Sequence, residues 1–407
     1  MIGSDAPRRI PQCVVSRLSS STVKIALIVE HADSQHGGAE RYTVQLAAAL
    51  VERGHEVALI AREGTAAPPG VELIILPARA VAKTARYARF LQMIDAHLRE
   101  NQYDIVHAMM PVHHCDIYHP HAGLAAEGIA HGHRKHAGRI RQKVSRLSNQ
   151  LHIRRRYFRA VEKKLLQSTH PPIVLCVSEL VKREAKQHYP LPDDRLAVLF
   201  NAVDLEQFNL QRDPQAGAKL RQQLKISSDK IIALFVAQNF QLKGLAITIA
   251  AIAQLRDPRI LLLVVGKESP SPYLQQAREL GIEKQILFAG STLDIYAYYS
   301  AADFLVLPTM RDSCSLVVLE ALAMGLPVIS TASNGACEIM TNGQHGFVLP
   351  HPKDIPALTE AMGHLIDPST RANFAGNCRS LRSKLSYDHH LSQMLDIYSQ
   401  AVLNRSK

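Results

Sequence analysis

Long apolar runs are missing from this chain. None approaches the roughly 20 residues that a bilayer-spanning helix needs, so no segment reads as a membrane span. Cysteine is scarce too. Cys13, Cys115, Cys176, Cys314, Cys337 and Cys378 are scattered and form no CxxC pair. That argues against a structural zinc site and for reduced thiols in a cytoplasm. Residues 1–21 hold Arg8, Arg9 and prolines but no continuous apolar core, which makes a poor signal peptide and reads as a disordered leader. The expected compartment is the cytoplasm, either free or peripheral on the cytoplasmic face of the inner membrane. What is plentiful is apolar residue content, 47% of 407 residues, enough for the cores of two ordinary domains. The formal charge of +11 implies an acidic partner: nucleotide phosphates, anionic lipid or nucleic acid.

The most informative stretch is 312–330, DSCSLVVLEALAMGLPVIS. Residues 304–308 before it form an apolar run closed by proline, a buried strand. Residues 309–315 form a polar turn. Residues 316–324 are apolar almost all round, a helix buried on most sides, stopped by Gly325 and Pro327. Strand, loop, helix, strand is the unit of a parallel sheet, whose ligands sit at the carboxyl ends of strands. Glu320 lies inside the apolar helix, where a carboxylate is costly without a partner. Asp312 precedes it in the loop. The small residues Ser313, Cys314 and Ser315, with the free N–H groups of the helix start at Leu316 and Val317, can face an anion. The same pattern also fits a capping Asp and a salt-bridged Glu.

This stretch resembles the acidic-x7-acidic motif of retaining glycosyltransferases of family 4, which have the GT-B fold. The resemblance implies that Glu320 binds the ribose hydroxyls of a nucleotide-sugar. It implies that Asp312, where the family usually has Glu, contacts the donor sugar, and that the intervening amides, including those of Ser313, Ser315, Leu316 and Val317, bind the diphosphate. A second match follows the first strand, 23–29. The sequence Gly37-Gly38-Ala39-Glu40-Arg41 sits at the turn into a helix and resembles the family loop that faces donor phosphates and acceptor. Glycines there let the backbone approach a ligand.

Further along, 105–107 reads as a strand end, followed by a histidine-rich run, 112–121. Its spacing fits no standard metal motif. In the family a histidine at this strand end lies beside the transferred sugar. His119 matches best by position, His121 second, and Asp116 is the nearest carboxylate. Residues 134–164 are the most basic segment. Ile140, Val144, Leu147 and Leu151 share one helical face, which fits an anionic membrane surface or glycolipid as well as a helix packed on its domain. Aromatics are few there beyond Tyr157 and Phe158, which argues against nucleic acid. The segment 197–204 resembles the family's interdomain hinge, with Ala202 in place of glycine. In the loop 238–244, Lys243 resembles the lysine that binds the donor diphosphate, while Gln241 and Leu242 stand where the family usually has an arginine. Thr292, after the strand 286–289, lies in the loop that in the family meets the nucleobase.

The expectation is an α/β protein of GT-B type, two doubly wound Rossmann-like domains facing an interdomain cleft. The leader occupies 1–21, an acceptor domain 22–200, a nucleotide-sugar domain 201–385, and a final helix, 386–407, crosses back to the first domain. The expected catalytic residues are His119, His121, Asp116, Lys243 and Asp312. The expected donor site is Gly37, Gly38, Lys243, Thr292, Asp312, Ser313, Ser315, Leu316, Val317 and Glu320. No cofactor and no metal are expected. The expected reaction moves a hexose, from a UDP-linked donor by resemblance, to a glycan or glycolipid with retention, as in bacterial lipopolysaccharide-core glucosyltransferases, whose local pattern is similar. Two alternatives remain open at this point: a sugar-nucleotide epimerase, and a catalytically inactive membrane-surface glycan-binding protein.

Overall fold

The computed structural model describes residues 22–33, 37–121, 123–131, 153–292 and 294–405. The leader 1–21 and the apolar stripe at 140, 144, 147 and 151 lie outside the described residues. The chain divides into two compact units. One holds the described residues up to Val177, with Lys182–Leu199 and those from His390 onward; the other holds Ser178–Val181 and Phe200–His389.

The first unit is a seven-stranded parallel sheet. Its strands are β1 (Lys24–Ala32), β2 (Glu56–Gly64), β3 (Val71–Ile75), β4 (Ile105–Ala108), β5 (Ile117–Tyr118), β6 (Ile173–Cys176) and β7 (Leu196–Val198), in the order β3-β2-β1-β4-β5-β6-β7. Ile25, Leu27 and Ile28 are fully buried, as expected for strands covered on both faces. β1 continues three residues beyond the expected 23–29. Its polar end keeps the ladder, with His31 opposite Glu63 and Ala32 opposite Gly64. The buried Arg62 pairs with Glu30 and Glu63 and compensates the charge. Polarity ended the apolar pattern, but backbone pairing did not end with it.

The helix Ile153–Leu166 is what the structure describes of the basic segment. It packs inward: Val161 joins the core of Ile28, Ile60, Phe90 and Ile94, with Tyr157 and Phe158 against it. The Phe158 ring stacks on Tyr87 at 4.0 Å. Phe158 is partly buried, so it gains only part of the roughly 1.5–3 kcal/mol of a fully buried aromatic. Arg154 is tied to Glu30 at 3.1 Å. The side left to solvent carries Arg156, Arg159, Lys163 and Lys164.

The second unit is a six-stranded parallel sheet of β8 (Ile231–Val236), β9 (Ile260–Val265), β10 (Ile286–Gly290), β11 (Phe304–Val306), β12 (Val328–Thr331) and β13 (Gly346–Leu349), in the order β10-β9-β8-β11-β12-β13. Both units are Rossmann-like, and in each the strand order reverses beside the first strand, between β1 and β4 and between β8 and β11. Ligands of open α/β sheets bind at this reversal, outside the carboxyl ends of the strands. The loop after β8 is more structured than the turn expected at 238–244. Asn239 accepts from the Leu242 amide at 2.7 Å and nucleates a short helix, Phe240–Lys243. Gly244 ends it at φ 86°, with Pro308 O 2.4 Å from where a Cβ would stand.

Candidate functional site

The expected residues fall into two groups, one in each unit. In the second unit, Lys243 follows β8 and Asp312 follows β11, the two strands that flank the reversal. Backbone bonds stitch the loops together: Met310 N–H donates to the Leu242 carbonyl at 2.9 Å. Across this seam the Lys243 ammonium pairs with the Asp312 carboxylate, both side chains mostly buried. Asp312 itself is held from the other side. Its N–H donates to Ser333 O at 2.9 Å, and its carbonyl accepts from Gly335 N–H at 3.0 Å. An ammonium has three donors, so Lys243 can hold Asp312 and still offer N–H groups to a phosphate.

The helix Leu316–Ala323 starts immediately after. Ser315 is its N-cap residue and supplies no side-chain cap, which leaves a helix start with its dipole open to an anion. One expected donor is corrected here. The Ser315 N–H donates to Asn334 Oδ1 at 3.3 Å, so the open start consists of Leu316 and Val317. Ser313 is also engaged within the fold, its carbonyl accepting from Ser178 Oγ at 2.7 Å. Glu320 is 3% exposed and accepts from the Tyr299 hydroxyl at 2.7 Å. That bond meets the need of a buried carboxylate for a partner and gives Glu320 a structural role in this unit. Burial pushes the Cys337 thiol up to about 12 and raises Cys314 as well, so neither supplies a thiolate. Thr292 follows β10, the edge strand, and its Oγ1 accepts from Asp294 N–H at 3.0 Å.

Asn334 was not legible as a site residue. Its amide oxygen also accepts from Ala336 N–H at 3.2 Å, and its nitrogen donates to Ser330 Oγ at 3.2 Å. Beside it, Gly335 has no room for a side chain: a Cβ would lie 2.0 Å from Ser313 O and 2.3 Å from Ser178 Oγ. The Asn-Gly pair after a strand is a turn signal and was the one sequence cue to this support.

In the first unit, Gly37 is the N-cap of the helix Gly38–Glu52, in extended backbone at φ −173°. The nearest atom to the position of a Cβ there is the movable end of the Glu40 side chain, Oε2 at 2.7 Å, so this turn does not by itself demand glycine. His119 follows the carboxyl end of β5, where its N–H bonds to Ala108 O at 2.8 Å. Tyr42, from the helix begun at Gly38, packs edge-on to His119 at 5.4 Å and tilted against His121 at 4.7 Å. Glu162 fixes both sides of this segment. It accepts from Tyr118 OH at 2.7 Å, from Ala125 N–H at 2.7 Å and from Ala126 N–H at 3.0 Å.

Asp116 does not join the histidines. It precedes β5, at the opposite end of that strand from His119. There it pairs with Arg405 and accepts from Val106 N–H at 2.7 Å. Its proximity in sequence misled, because a strand separates its two ends onto two rims of the sheet. Sequence reasoning missed the imidazoles behind His119. His107, read only as a strand end, bonds through Nε2 to His119 Nδ1 at 3.2 Å and through Nδ1 to Tyr398 OH at 2.7 Å. His390 bonds to Tyr42 OH at 2.7 Å. Burial, then the neighbouring His390, pushes the His107 pKa down to about 3. Burial, then His107, His121 and His390, lowers that of His119 as well. Among the described residues no group of three or more His, Cys, Asp or Glu is arranged to hold a metal ion.

Comparison with known proteins adds a pattern that spans both units. The model described as Glycosyltransferase Family 4 matches residues 36–207, and that described as Glycosyl transferases group 1 matches residues 218–380. The lipopolysaccharide glucosyltransferase WaaG of Escherichia coli (strain K12) is 25% identical over 369 residues, covering 89% of this chain and 92% of that protein. The crystal structure of WaaG, a glycosyltransferase involved in lipopolysaccharide biosynthesis, superposes with a TM-score of 0.77 at 23% identity, over 92% of this chain and 99% of that one. The Anabaena protein HepE in complex with UDP-glucose gives a TM-score of 0.66 at 19% identity, over 92% of this chain and 98% of that one.

Proposed function

Since this chain belongs to the glycosyltransferases built from a Family 4 domain followed by a group 1 domain, with the GT-B fold, we propose that it moves a hexose from a UDP-linked donor to a hydroxyl of a glycan or glycolipid, with retention of anomeric configuration, in cell-envelope polysaccharide synthesis. The observation that carries this reading is the Lys243–Asp312 pair beside an uncapped helix start, on the two loops that flank the strand reversal of the second unit. The likeness to WaaG, a lipopolysaccharide glucosyltransferase, supports a glucosyl-type sugar and a lipopolysaccharide-like acceptor, and the HepE complex supports uridine as the base.

The roles follow from charge. As the glycosidic bond breaks, negative charge grows on the leaving diphosphate. Lys243 and the amides of Leu316 and Val317 stabilise it, and fixed donors of this kind are among the largest contributors to catalysis. Glu320 accepts from the ribose hydroxyls and Asp312 from the donor sugar. His119 meets the transferred hexose. The acceptor oxygen bonds to the anomeric carbon, and its proton passes to an oxygen of the departing phosphate, so no protein carboxylate need form a covalent intermediate. The acceptor side rests on the solvent-facing basic row Arg156, Arg159, Lys163 and Lys164, which suits an anionic membrane surface in the cytoplasm. No described helix is long and apolar enough to cross a membrane. No observation favours the epimerase or the inactive binding protein.

The test is incubation with radiolabelled UDP-glucose, UDP-galactose and other nucleotide-sugars, with and without lipid extract. The expected result is acceptor-dependent transfer of label, with a product whose anomeric proton coupling matches that of the donor. Conversion of donor without acceptor, or binding without turnover across the donor panel, refutes the proposal. An inverted product refutes its stereochemistry.

A further inference from the structure

The hydrogen-bond chain behind His119 has a direction, and the direction decides what His119 can do. Tyr398 is fully buried, and its hydroxyl meets His107 Nδ1 at 2.7 Å. The His107 ring stacks on that of His119 at 5.3 Å, with His107 Nε2 to His119 Nδ1 at 3.2 Å. His119 Nε2 is buried and has no hydrogen-bond partner among the described residues. Two proton arrangements are possible along this line. In one, the phenol donates to His107, His107 Nε2–H donates to His119 Nδ1, and His119 carries its proton on Nε2. In the other every donor reverses, and His119 Nε2 is a bare acceptor.

The first arrangement is favoured on two grounds. A phenol is a better donor than a neutral imidazole N–H, and an imidazole nitrogen is a better acceptor than a phenol oxygen, so the strongest bond forms when Tyr398 donates. Each arrangement leaves one buried donor without a protein acceptor, the Tyr398 phenol in the reversed one and His119 Nε2–H in the first, and only the latter sits at the carboxyl end of a strand, where parallel sheets hold their ligands. Both imidazoles stay neutral near pH 7 because burial lowers their pKa, so the line of bonds holds one tautomer rather than a shared proton.

We propose that His107 and Tyr398 are positioning residues that lock His119 as the Nε2–H tautomer, so that His119 presents a hydrogen-bond donor to an oxygen of the sugar and does not act as a general base. The tautomer follows from this cluster alone; its use on a sugar rests on the function proposed above. Of the ring nitrogens of His107 and His119, Nε2 of His119 is then the one left for substrate, on a residue at the carboxyl end of β5, where parallel sheets hold their ligands.

The test reads the tautomer directly. Ring nitrogens are observed by NMR in the full chain labelled with 15N-histidine, and His119 is assigned by the signals lost in His119→Gln. The expected wild-type spectrum shows protonated Nε2 and unprotonated Nδ1 on His119, unchanged from about pH 8 to pH 6. A protonated Nδ1, or titration of His119 within that range, overturns the proposal whether or not the protein is a glycosyltransferase. Tyr398→Phe, which keeps the ring, is expected to give a mixture of His119 tautomers and to lower kcat about tenfold with donor KM within twofold. An unchanged tautomer in that variant overturns the role of Tyr398. Among replacements of His119, Gln places an amide donor where Nε2–H stood and Asn places it where Nδ1 stood. Gln is expected to retain about tenfold more kcat than Asn, and equal or reversed activities overturn the donor role.

Discussion

Acidification should loosen the first unit before the second. His107 is fully buried and faces His119, His390 and Tyr398. Its pKa falls from 6.5 to about 3 on folding, first through burial and then through His390. A histidine depressed in this way favours the folded state fully above its unfolded pKa. That contribution fades as the pH falls from 6.5 toward 3, because the unfolded chain takes the proton first. At about pH 5 the loss from His107 alone is about 2 kcal/mol, and His119 shifts in the same direction. The assay is hydrogen exchange by mass spectrometry at about pH 7.5 and pH 5, corrected for intrinsic exchange. β8 and β9 of the second unit serve as the internal reference. Amides of β1 and β4 should lose at least about 2 kcal/mol of opening free energy more than the reference strands, and His107→Phe should remove most of the difference. Equal losses in both units, or an undiminished difference in His107→Phe, would refute the reasoning.

Three substitutions in the second unit and one surface change probe the rest. Glu320→Gln should weaken nucleoside diphosphate binding by roughly 1.5–3 kcal/mol, since an amide cannot accept at both atoms as a carboxylate does; calorimetry that finds unchanged affinity in a folded variant returns Glu320 to its bond with Tyr299 alone. Lys243→Ala should lower kcat/KM as well as binding, because the charge it meets grows in the transition state; a change under about twofold, roughly 0.5 kcal/mol, places it outside the site. Gly335→Ala should displace the 312–315 loop, since its Cβ would lie 2.0 Å from Ser313 O. Overpacking of this kind costs about 1–3 kcal/mol, and thermal denaturation together with donor titration will detect it. Replacing Arg156, Arg159, Lys163 and Lys164 by Ser should release the protein from anionic vesicles at low salt while sparing a soluble acceptor, at about 1 kcal/mol per cation; wild type that stays in the supernatant removes the membrane contact.

The sequence by itself determined the two sheets and the strand, loop and helix around Asp312. Buried parallel strands read as near-continuous apolar runs, and 231–236 and 260–265 carry that pattern, short and rich in β-branched residues. Gly325 at φ 75° ends its helix where the residue type alone required. Local order of this kind is written in neighbouring residues, whereas Lys243, Asp312 and Glu320 were singled out by their resemblance to family motifs. Tertiary structure alone decided which of these residues meet. Lys243 and Asp312 are 69 positions apart and pair because their strands, β8 and β11, are neighbours at the reversal of the sheet. Asp116, three positions from His119, is sent to the opposite end of β5 because even a two-residue strand has two ends. His107 and Tyr398, 291 positions apart, form a bond that no periodicity encodes. Hydrogen bonds between buried side chains depend on where the folded backbone carries them, and that path is set by the packing of the whole unit, not by the residues that end up in contact.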